Sequence, residues 1–218
     1  MFIVETKPKS IAAESYRTLR TNIQYSSFDK EYKVIVVTSS EPGEGKSTTA
    51  GNLAISLAQG EKKVLLIDCD LRKPSLHKKF KVSNVVGLSD VLIGMETLEE
   101  AGNRYKKNLM VLTSGKVPPN PPEMLGSKAM ATLLEELRDE FDYIILDTPP
   151  VQLVTDSQIL ATKADGTILV IKAEATKKEA VQASINLLKK VNAHIIGTVL
   201  NGVDNKKNKY NYYYGDKK

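Results

Sequence analysis

Short, almost continuously apolar runs rich in β-branched residues alternate along the chain with longer stretches of helical periodicity. Runs of this kind indicate strands that are covered on both faces, as in a parallel sheet. The alternation predicts one doubly wound α/β domain with a mostly parallel sheet, in which ligands bind beyond the carboxyl ends of the strands. The predicted strands are 33–38, 63–68, 109–113, 143–147, 167–172 and 194–200, and the predicted helices are 48–59, 123–140, 155–163 and 177–191.

Two flanks lie outside this alternating pattern. They divide the chain into an N-terminal helical arm at 1–30, a central domain at 31–204 and a flexible, disordered tail at 205–218. No apolar run approaches the roughly 20 residues that span a bilayer, and the N-terminus lacks the long apolar segment of a signal peptide. We therefore expect a soluble protein.

The formal net charge of +5 is unevenly distributed. Five lysines and two aspartates between Asp204 and Lys218 leave +3 at the C-terminus, so the other residues together carry only +2. This balance predicts no broad basic surface for nucleic acid. The single cysteine, Cys69, cannot form an internal disulfide, which fits a reducing cytosol.

A glycine-rich segment between the first predicted strand and helix, SEPGEGKS, fits a phosphate-binding loop except that Ser40 replaces the first glycine. Gly43 and Gly45 allow the backbone N–H groups to turn toward an anion, and the helix that follows adds its positive dipole end. Lys46 supplies a charge for the β- and γ-phosphates, and the Ser47 hydroxyl is a Mg²⁺ ligand. The alternative is a plain glycine-rich turn with an exposed lysine, but the motif context favours a nucleotide site.

Acidic residues end two of the predicted strands. Asp147 closes YIILD, at the usual position of a Walker B aspartate, and Asp68 and Asp70 lie one residue apart in VLLIDCDLRKP. Residues two apart in extended chain share a face, so both carboxylates would point into one cleft. The interpretation is a Mg²⁺ site with a general base, although the residues do not decide which aspartate is the base. The alternative is a pair of solvated strand ends.

Three motifs in this order resemble the Walker A, A′ and B motifs of the bacterial protein-tyrosine kinases of capsule and exopolysaccharide export: SEPGEGKST, LLIDCDLRKP and YIILDTPPVQLVTDS. The resemblance extends over nearly the whole chain through ESYRTLRTNI, SGKVPPNPPEML and the terminal tyrosines, while the HRD and DFG tripeptides of eukaryotic kinases do not occur. The MinD/ParA-type P-loop ATPases resemble the chain more distantly, because they carry a signature lysine where this chain has Glu41.

This resemblance implies an ATP- and Mg²⁺-dependent tyrosine kinase on a P-loop NTPase fold. Asn201 matches an asparagine that contacts adenine in the family, although it also suits a plain turn beside Gly202. The implied nucleotide-binding residues are Gly43, Glu44, Gly45, Lys46, Ser47, Thr48 and Asn201; the implied metal residues are Ser47, Asp68, Asp70 and Asp147; and the implied catalytic residues are Lys46, Asp68, Asp70 and Asp147.

The C-terminal tail carries four phenols with no apolar partner nearby: Tyr210, Tyr212, Tyr213 and Tyr214. A kinase needs an acceptor hydroxyl, and a flexible tail can extend into a cleft, including that of a neighbouring subunit. Four phosphates would add about −6 to −8 charges, which inverts the sign of the tail and predicts its release after phosphorylation. The alternative is a tag that only aids solubility.

The N-terminal stretch ESYRTLR places Glu14, Arg17 and Arg20 on one broad helical face. The resemblance implies that this face is an interface that joins subunits into a ring, and the alternative is an ion pair within the helix on a solvated surface. It also implies a membrane-anchored activator of the export machinery, reversal by a tyrosine phosphatase, cytoplasmic protein substrates, and recruitment of a cytoplasmic protein to the plasma membrane. The rival functions are a MinD/ParA-like ATPase switch and a nucleotide-gated scaffold with little catalysis.

Overall fold

A computed structural model describes residues 2–25 and 31–204 of the chain. Within these residues seven strands form one sheet: β1 (Val34–Ser39), β2 (Val64–Asp68), β3 (Gly102–Lys106), β4 (Leu109–Leu112), β5 (Tyr143–Asp147), β6 (Gly166–Lys172) and β7 (Ile195–Asn201). Their order is β3-β4-β2-β5-β1-β6-β7, and every neighbouring pair is parallel except β3 with β4. The predicted doubly wound, mostly parallel sheet is confirmed.

Helices connect the strands and cover both faces of the sheet. They are α1 (Ile3–Thr6), α2 (Ile11–Tyr25), α3 (Lys46–Gln59), α4 (Leu76–Phe80), α5 (Leu88–Leu92), α6 (Leu98–Ala101), α7 (Pro121–Gly126), α8 (Lys128–Glu140), α9 (Asp156–Ala161) and α10 (Lys178–Lys190). Among the described residues, no helix combines the length and the apolar character that crossing a membrane requires.

Each of the six predicted strands is present, and β3 at the sheet edge is the one strand in residues 2–25 and 31–204 that the apolar pattern did not predict. The residues of this strand are only partly buried or exposed, which suits its mostly polar sequence, GNRYK, and makes its apolar signal weak. The single helix predicted at 123–140 is wrong, since α7 and α8 are separate. Ser127 interrupts them with an extended backbone (ψ 163°), and its hydroxyl accepts a hydrogen bond from the Met130 N–H to begin α8.

Two large apolar clusters lie on opposite faces of the sheet. In β1, Ile35 and Val37 pack with α1–α4, whereas Val34 and Val36 pack with α5–α9. All four side chains are fully buried. This explains why the strand is apolar without interruption, since alternate residues enter different cores.

The N-terminal segment packs on the helix that follows the glycine-rich loop. Phe2 lies against α3 at Gly51, where a Cβ atom would meet the phenyl ring at 2.2 Å, and its ring centroid is 4.4 Å from that of Phe80. The Val4 N–H donates to the Asn52 side chain at 3.2 Å. Residues 2–25 therefore contribute to the core, while the proposed boundary at residue 30 stays a prediction and 26–30 lie outside the described residues.

Candidate active site

Three neighbouring parallel strands bring the sequence motifs to one edge of the sheet. β2, β5 and β1 are adjacent, and Asp68 at the end of β2 is directly in register with Asp147 at the end of β5. The glycine-rich loop leaves β1 at the same edge. Because all three strands run in one direction, the topology brings together the residues that the sequence placed in separate motifs.

The loop before α3 depends on two glycines with left-handed backbone. Gly43 has φ 80° and Gly45 has φ 98°, values that side chains with a Cβ rarely adopt. At Gly45 a Cβ would also lie 2.0 Å from Nδ2 of Asn201. Gly45 precedes a 14-residue helix, so the free N–H groups and the positive dipole end of α3 face the loop.

Glu44 is buried, and its carboxylate bridges the loop and the segment that follows β6. One oxygen accepts the Glu41 N–H at 3.0 Å, and the other accepts a hydrogen bond from the Thr176 hydroxyl beyond β6. The Glu44 carbonyl accepts a 2.9 Å hydrogen bond from Asn201 at the end of β7. The Glu44 side chain therefore joins the loop to the segment after β6, and its carbonyl joins the loop to β7. The part of Glu44 in nucleotide binding stays a prediction.

The Lys46 ammonium lies among the clustered carboxylates. Its Nζ is 3.0 Å from Asp70 Oδ2 and 3.9 Å from Asp147 Oδ1, and it lies 3.4 Å from the Ser47 hydroxyl. Burial would lower the pKa of Lys46, but the charges of Asp147 and Asp70 outweigh burial and raise it. Lys46 is therefore a protonated cation at neutral pH.

The three aspartates have different partners. Asp68 accepts hydrogen bonds from the backbone N–H groups of Asp70 at 3.2 Å and of Ser75 and Leu76 at 2.9 Å, so both its oxygens hold the A′ loop. Asp70 pairs with Lys46 and accepts the Lys73 N–H at 3.1 Å. Both oxygens of Asp147 are fully buried and have no hydrogen-bond partner in the described part of the chain.

Burial and mutual repulsion also separate the aspartates electrostatically. Burial, followed by the charge of Asp147, raises the pKa of Asp68 to about 7 against the opposing Leu76 and Ser75 N–H groups. Burial likewise raises the pKa of Asp147, and the Lys46 charge partly offsets this. The described residues contain no group of three or more His, Cys, Asp or Glu side chains that would hold a metal ion alone. A Mg²⁺ ion needs only one or two carboxylates when phosphate and water supply other ligands.

We expect the raised pKa of Asp68 to make stability pH-dependent. Between its ordinary pKa near 4 and the folded pKa of about 7, the folded chain binds more protons than the unfolded chain, so stability falls as pH rises. Urea unfolding without nucleotide should give a wild-type minus Asp68→Asn difference that falls by up to about 1.4 kcal/mol per pH unit in this window. The exposed control Asp139→Asn should keep the wild-type slope. A pH-independent difference for Asp68→Asn would contradict the prediction.

Two side-chain contacts at the site were not predicted from the sequence. Arg72 makes a bidentate ion pair with Asp156, at 2.9 and 3.2 Å, which joins the A′ loop to the start of α9. Lys79 on α4 donates to the Thr48 hydroxyl at 3.0 Å. These partners lie 84 and 31 residues apart, so no local pattern could have paired them.

A cavity of about 720 Å³ opens beside the first turn of α3. Thr48 and Asn201 line it together with residues of α1 and α2 and the end of β7. The structure thus places Asn201 next to the loop and in a cavity. Its contact with adenine stays a prediction.

The α2 residues predicted at an oligomer interface make contacts within the chain. Arg17 pairs with Glu14 at 2.6 Å and donates to the Pro8 carbonyl at 2.5 Å, whereas Arg20 donates to the Ser56 carbonyl of α3 at 2.7 Å. The interface therefore stays a prediction. Tyr210, Tyr212, Tyr213 and Tyr214 lie outside the described residues.

Comparisons with known proteins show the family to which the chain belongs. Residues 32–200 match the AAA domain family. Tyrosine-protein kinase YwqD of Bacillus subtilis is 47% identical over 216 residues, which cover 99% of this chain and 91% of YwqD. The solved kinase domain of Escherichia coli tyrosine kinase ETK superposes with a TM-score of 0.90 at 34% identity, covering 99% of this chain and 85% of that one.

A more distant solved structure shares the fold over a smaller part of the chain. The cell division ATPase MinD of Pyrococcus furiosus has a TM-score of 0.65 at 29% identity, covering 77% of this chain and 71% of MinD. The P-loop fold is thus shared with MinD, whereas the kinases match over more of the chain and at higher identity. The family resemblance recognised in the sequence is confirmed. The chain belongs to the bacterial protein-tyrosine kinases, and its AAA domain is that of a tyrosine kinase.

Proposed function

We propose that the chain transfers the γ-phosphoryl group of ATP, bound with Mg²⁺, to tyrosines of its own C-terminal cluster. The proposal depends mainly on the environment of Asp147. Its carboxylate is fully buried and has no hydrogen-bond partner in the described part of the chain, and the Lys46 cation is 3.9 Å away. A buried, unsatisfied acceptor of this kind needs a cation or water to complete it. The residues therefore fit a hydrated Mg²⁺ ion beside the phosphate loop.

In this proposal Ser47 and Asp147 hold the metal, and the adenine occupies the cavity near Asn201. Bound Mg²⁺ would neutralise charge on the phosphate oxygens. The Lys46 ammonium is 3.0 Å from Asp70 Oδ2. A phosphate group at the loop would therefore compete with Asp70 for this ammonium. That competition would free Asp70 Oδ2, while Asp70 Oδ1 keeps the Lys73 N–H and both Asp68 oxygens remain bonded to the A′ loop.

We therefore assign Asp70 as the group that orients the acceptor and Asp68 as a positioning residue for it. The tyrosine oxygen forms a bond to the γ-phosphorus as the bond from that phosphorus to the β–γ bridging oxygen breaks. The phenolic proton passes to the Asp70 carboxylate, and ADP carries away the bonding electron pair. Lys46 stabilises the charge that moves onto the leaving phosphates.

The acceptors in this proposal are Tyr210, Tyr212, Tyr213 and Tyr214 of a neighbouring subunit. The last described residue, Asp204, closely follows β7, whose Asn201 contacts the phosphate loop, so the described part of the chain ends at the active-site edge. Phosphorylation would replace a tail charge of +3 with a strongly negative one beside several carboxylates. Repulsion would then release the tail.

Two complementary variants test both the kinase activity and its trans character. One carries Lys46→Met with an intact tail, and the other replaces the four tail tyrosines with phenylalanine but keeps the active site. With γ-labelled ATP and Mg²⁺, wild type should label its tail and neither variant alone should do so. Their mixture should label the Lys46→Met chain, which mass spectrometry distinguishes. Tyr25→Phe is a matched control, because Tyr25 is 76% exposed and lies outside the tail.

The outcomes separate this proposal from its rivals. Label in wild type but not in the mixture would overturn transfer between subunits and support transfer within one chain. Free phosphate without labelled protein would support an ATPase switch, and neither product would support a scaffold. Label that persists in the four-phenylalanine variant would show that the acceptors lie elsewhere.

The wider biological role follows from family membership as part of the same proposal. Subunits would form a ring in which the half-buried Glu14 and Arg17 and the nearby Arg20 exchange partners with a neighbour. A membrane-anchored activator would recruit this cytoplasmic chain to the inner face of the plasma membrane, and a tyrosine phosphatase would reverse its phosphorylation. The cycle would regulate capsular and exopolysaccharide synthesis and export, with further cytoplasmic proteins as substrates.

A further inference from the structure

A second lysine reaches the phosphate loop from a different part of the chain. Lys79 lies on α4, which follows the A′ motif, and its ammonium donates to the Thr48 hydroxyl at 3.0 Å. Thr48 is in the first turn of α3, two residues after Lys46. Lys79 is half-buried, whereas its neighbour Lys78 is exposed.

The hydrogen-bond partner of Lys79 is unusual for a half-buried charged side chain. A half-buried ammonium usually pairs with a carboxylate, but among residues 2–25 and 31–204 no ion pair includes Lys79, and its hydrogen bond goes to a neutral hydroxyl. The charge of Lys79 also acts to lower the pKa of Asp147, so Lys79 lies within electrostatic reach of the cleft. Lys46, Lys79 and the positive end of α3 together form a site for an anion with several charges.

The position of Thr48 indicates which phosphate Lys79 would meet. Thr48 and Asn201 line the same cavity, and the proposed function places the nucleoside there. The phosphate next to the nucleoside then lies at Thr48, while Lys46 extends toward the carboxylates at the other end of the phosphate chain. The phosphate closest to Lys79 is thus the α-phosphate.

We propose that Lys79 is a second phosphate-binding lysine, which donates a charge-assisted hydrogen bond to the α-phosphate of the bound nucleotide. This inference rests on the proposed function, because it assumes a nucleotide at the loop. The α-phosphate keeps its charge and position during γ-phosphoryl transfer. Lys79 therefore stabilises ground state and transition state equally, so it affects KM for ATP and leaves kcat nearly unchanged.

The test compares Lys79→Met with Lys79→Arg and with the exposed control Lys78→Met. Calorimetry with ADP, AMP and adenosine should show that Lys79→Met weakens ADP and AMP about tenfold or more, as expected for loss of a charge-assisted bond. Adenosine affinity should stay within about twofold, since it has no phosphate. Lys79→Arg should retain most of the affinity, and Lys78→Met should match wild type. In kinase assays Lys79→Met should raise KM for ATP at constant kcat, unlike Lys46→Met.

A measurement on the unmutated chain keeps the inference testable even where Lys79→Met fails to fold. Amine acetylation read by mass spectrometry should be slowed at Lys79 by ADP and by AMP but not by adenosine, with no change at Lys78. Equal ADP affinity in wild type and Lys79→Met, or equal acetylation of Lys79 with and without ADP, would overturn the inference and leave the proposed function intact. A wild-type chain that binds no nucleotide would overturn both.

Discussion

Replacing Asp147 with asparagine is expected to lower the rate of tyrosine phosphorylation by about 100-fold or more, and to raise the free energy of unfolding at neutral pH. The side chain is fully buried and has no hydrogen-bond partner in the described part of the chain, and burial raises its pKa although the Lys46 charge 3.9 Å away partly offsets this. The folded state thus disfavours the charge that the proposed metal site requires. A neutral amide of the same shape removes this cost together with the function.

The opposite signs of the two effects distinguish a catalytic role from a structural one. Tail labelling at saturating ATP gives the rate, which should fall, and urea unfolding at pH 7 without nucleotide gives the stability, which should rise. Asp139→Asn is the exposed control and should change neither quantity. Loss of activity together with loss of stability would indicate that Asp147 mainly supports the fold. A variant that keeps more than a third of the wild-type rate would remove Asp147 from the mechanism.

Replacing Arg72 with glutamine is expected to lower the free energy of unfolding by about 2–3 kcal/mol. Asp156 is fully buried, and the bidentate pair with Arg72 compensates its charge. The loss stays below that of a completely buried pair because 38% of the Arg72 side chain is exposed. The same change should reduce kinase activity, since the pair joins the loop that carries Asp70 to the segment that follows Asp147.

A double-mutant cycle isolates this interaction. Asp156→Asn in the Arg72→Gln background removes the uncompensated charge and permits a neutral hydrogen bond, so it should recover at least half of the lost stability. Lys73→Gln is the matched control, because Lys73 is adjacent and exposed. Urea unfolding and tail labelling measure the two effects. Additive losses in the double variant would show that the pair does not act as a unit.

Local sequence patterns were sufficient for much of the fold and for the outline of the site. Buried parallel strands require continuous apolar runs, so β1, β2 and β5 could be predicted along with the edge where they end. The turn at Gly43 and Gly45 requires left-handed backbone, which favours glycine. The phosphate loop can therefore be recognised from its glycines in the sequence. The kinase family could likewise be recognised from motifs in a fixed order.

Tertiary structure alone decided how the residues of the site divide their roles. Asp68, Asp70 and Asp147 are the same residue type, and they differ because Asp68 accepts only backbone N–H groups, Asp70 accepts a hydrogen bond from Lys46, and Asp147 has Lys46 nearby at 3.9 Å but no hydrogen-bond partner in the described part of the chain. The pairing of Arg72 with Asp156 and of Lys79 with Thr48 arose when distant segments packed at one sheet edge. Periodicity and motif spacing report local conformation and burial, whereas hydrogen-bond partners depend on contacts between segments that only the folded chain brings together.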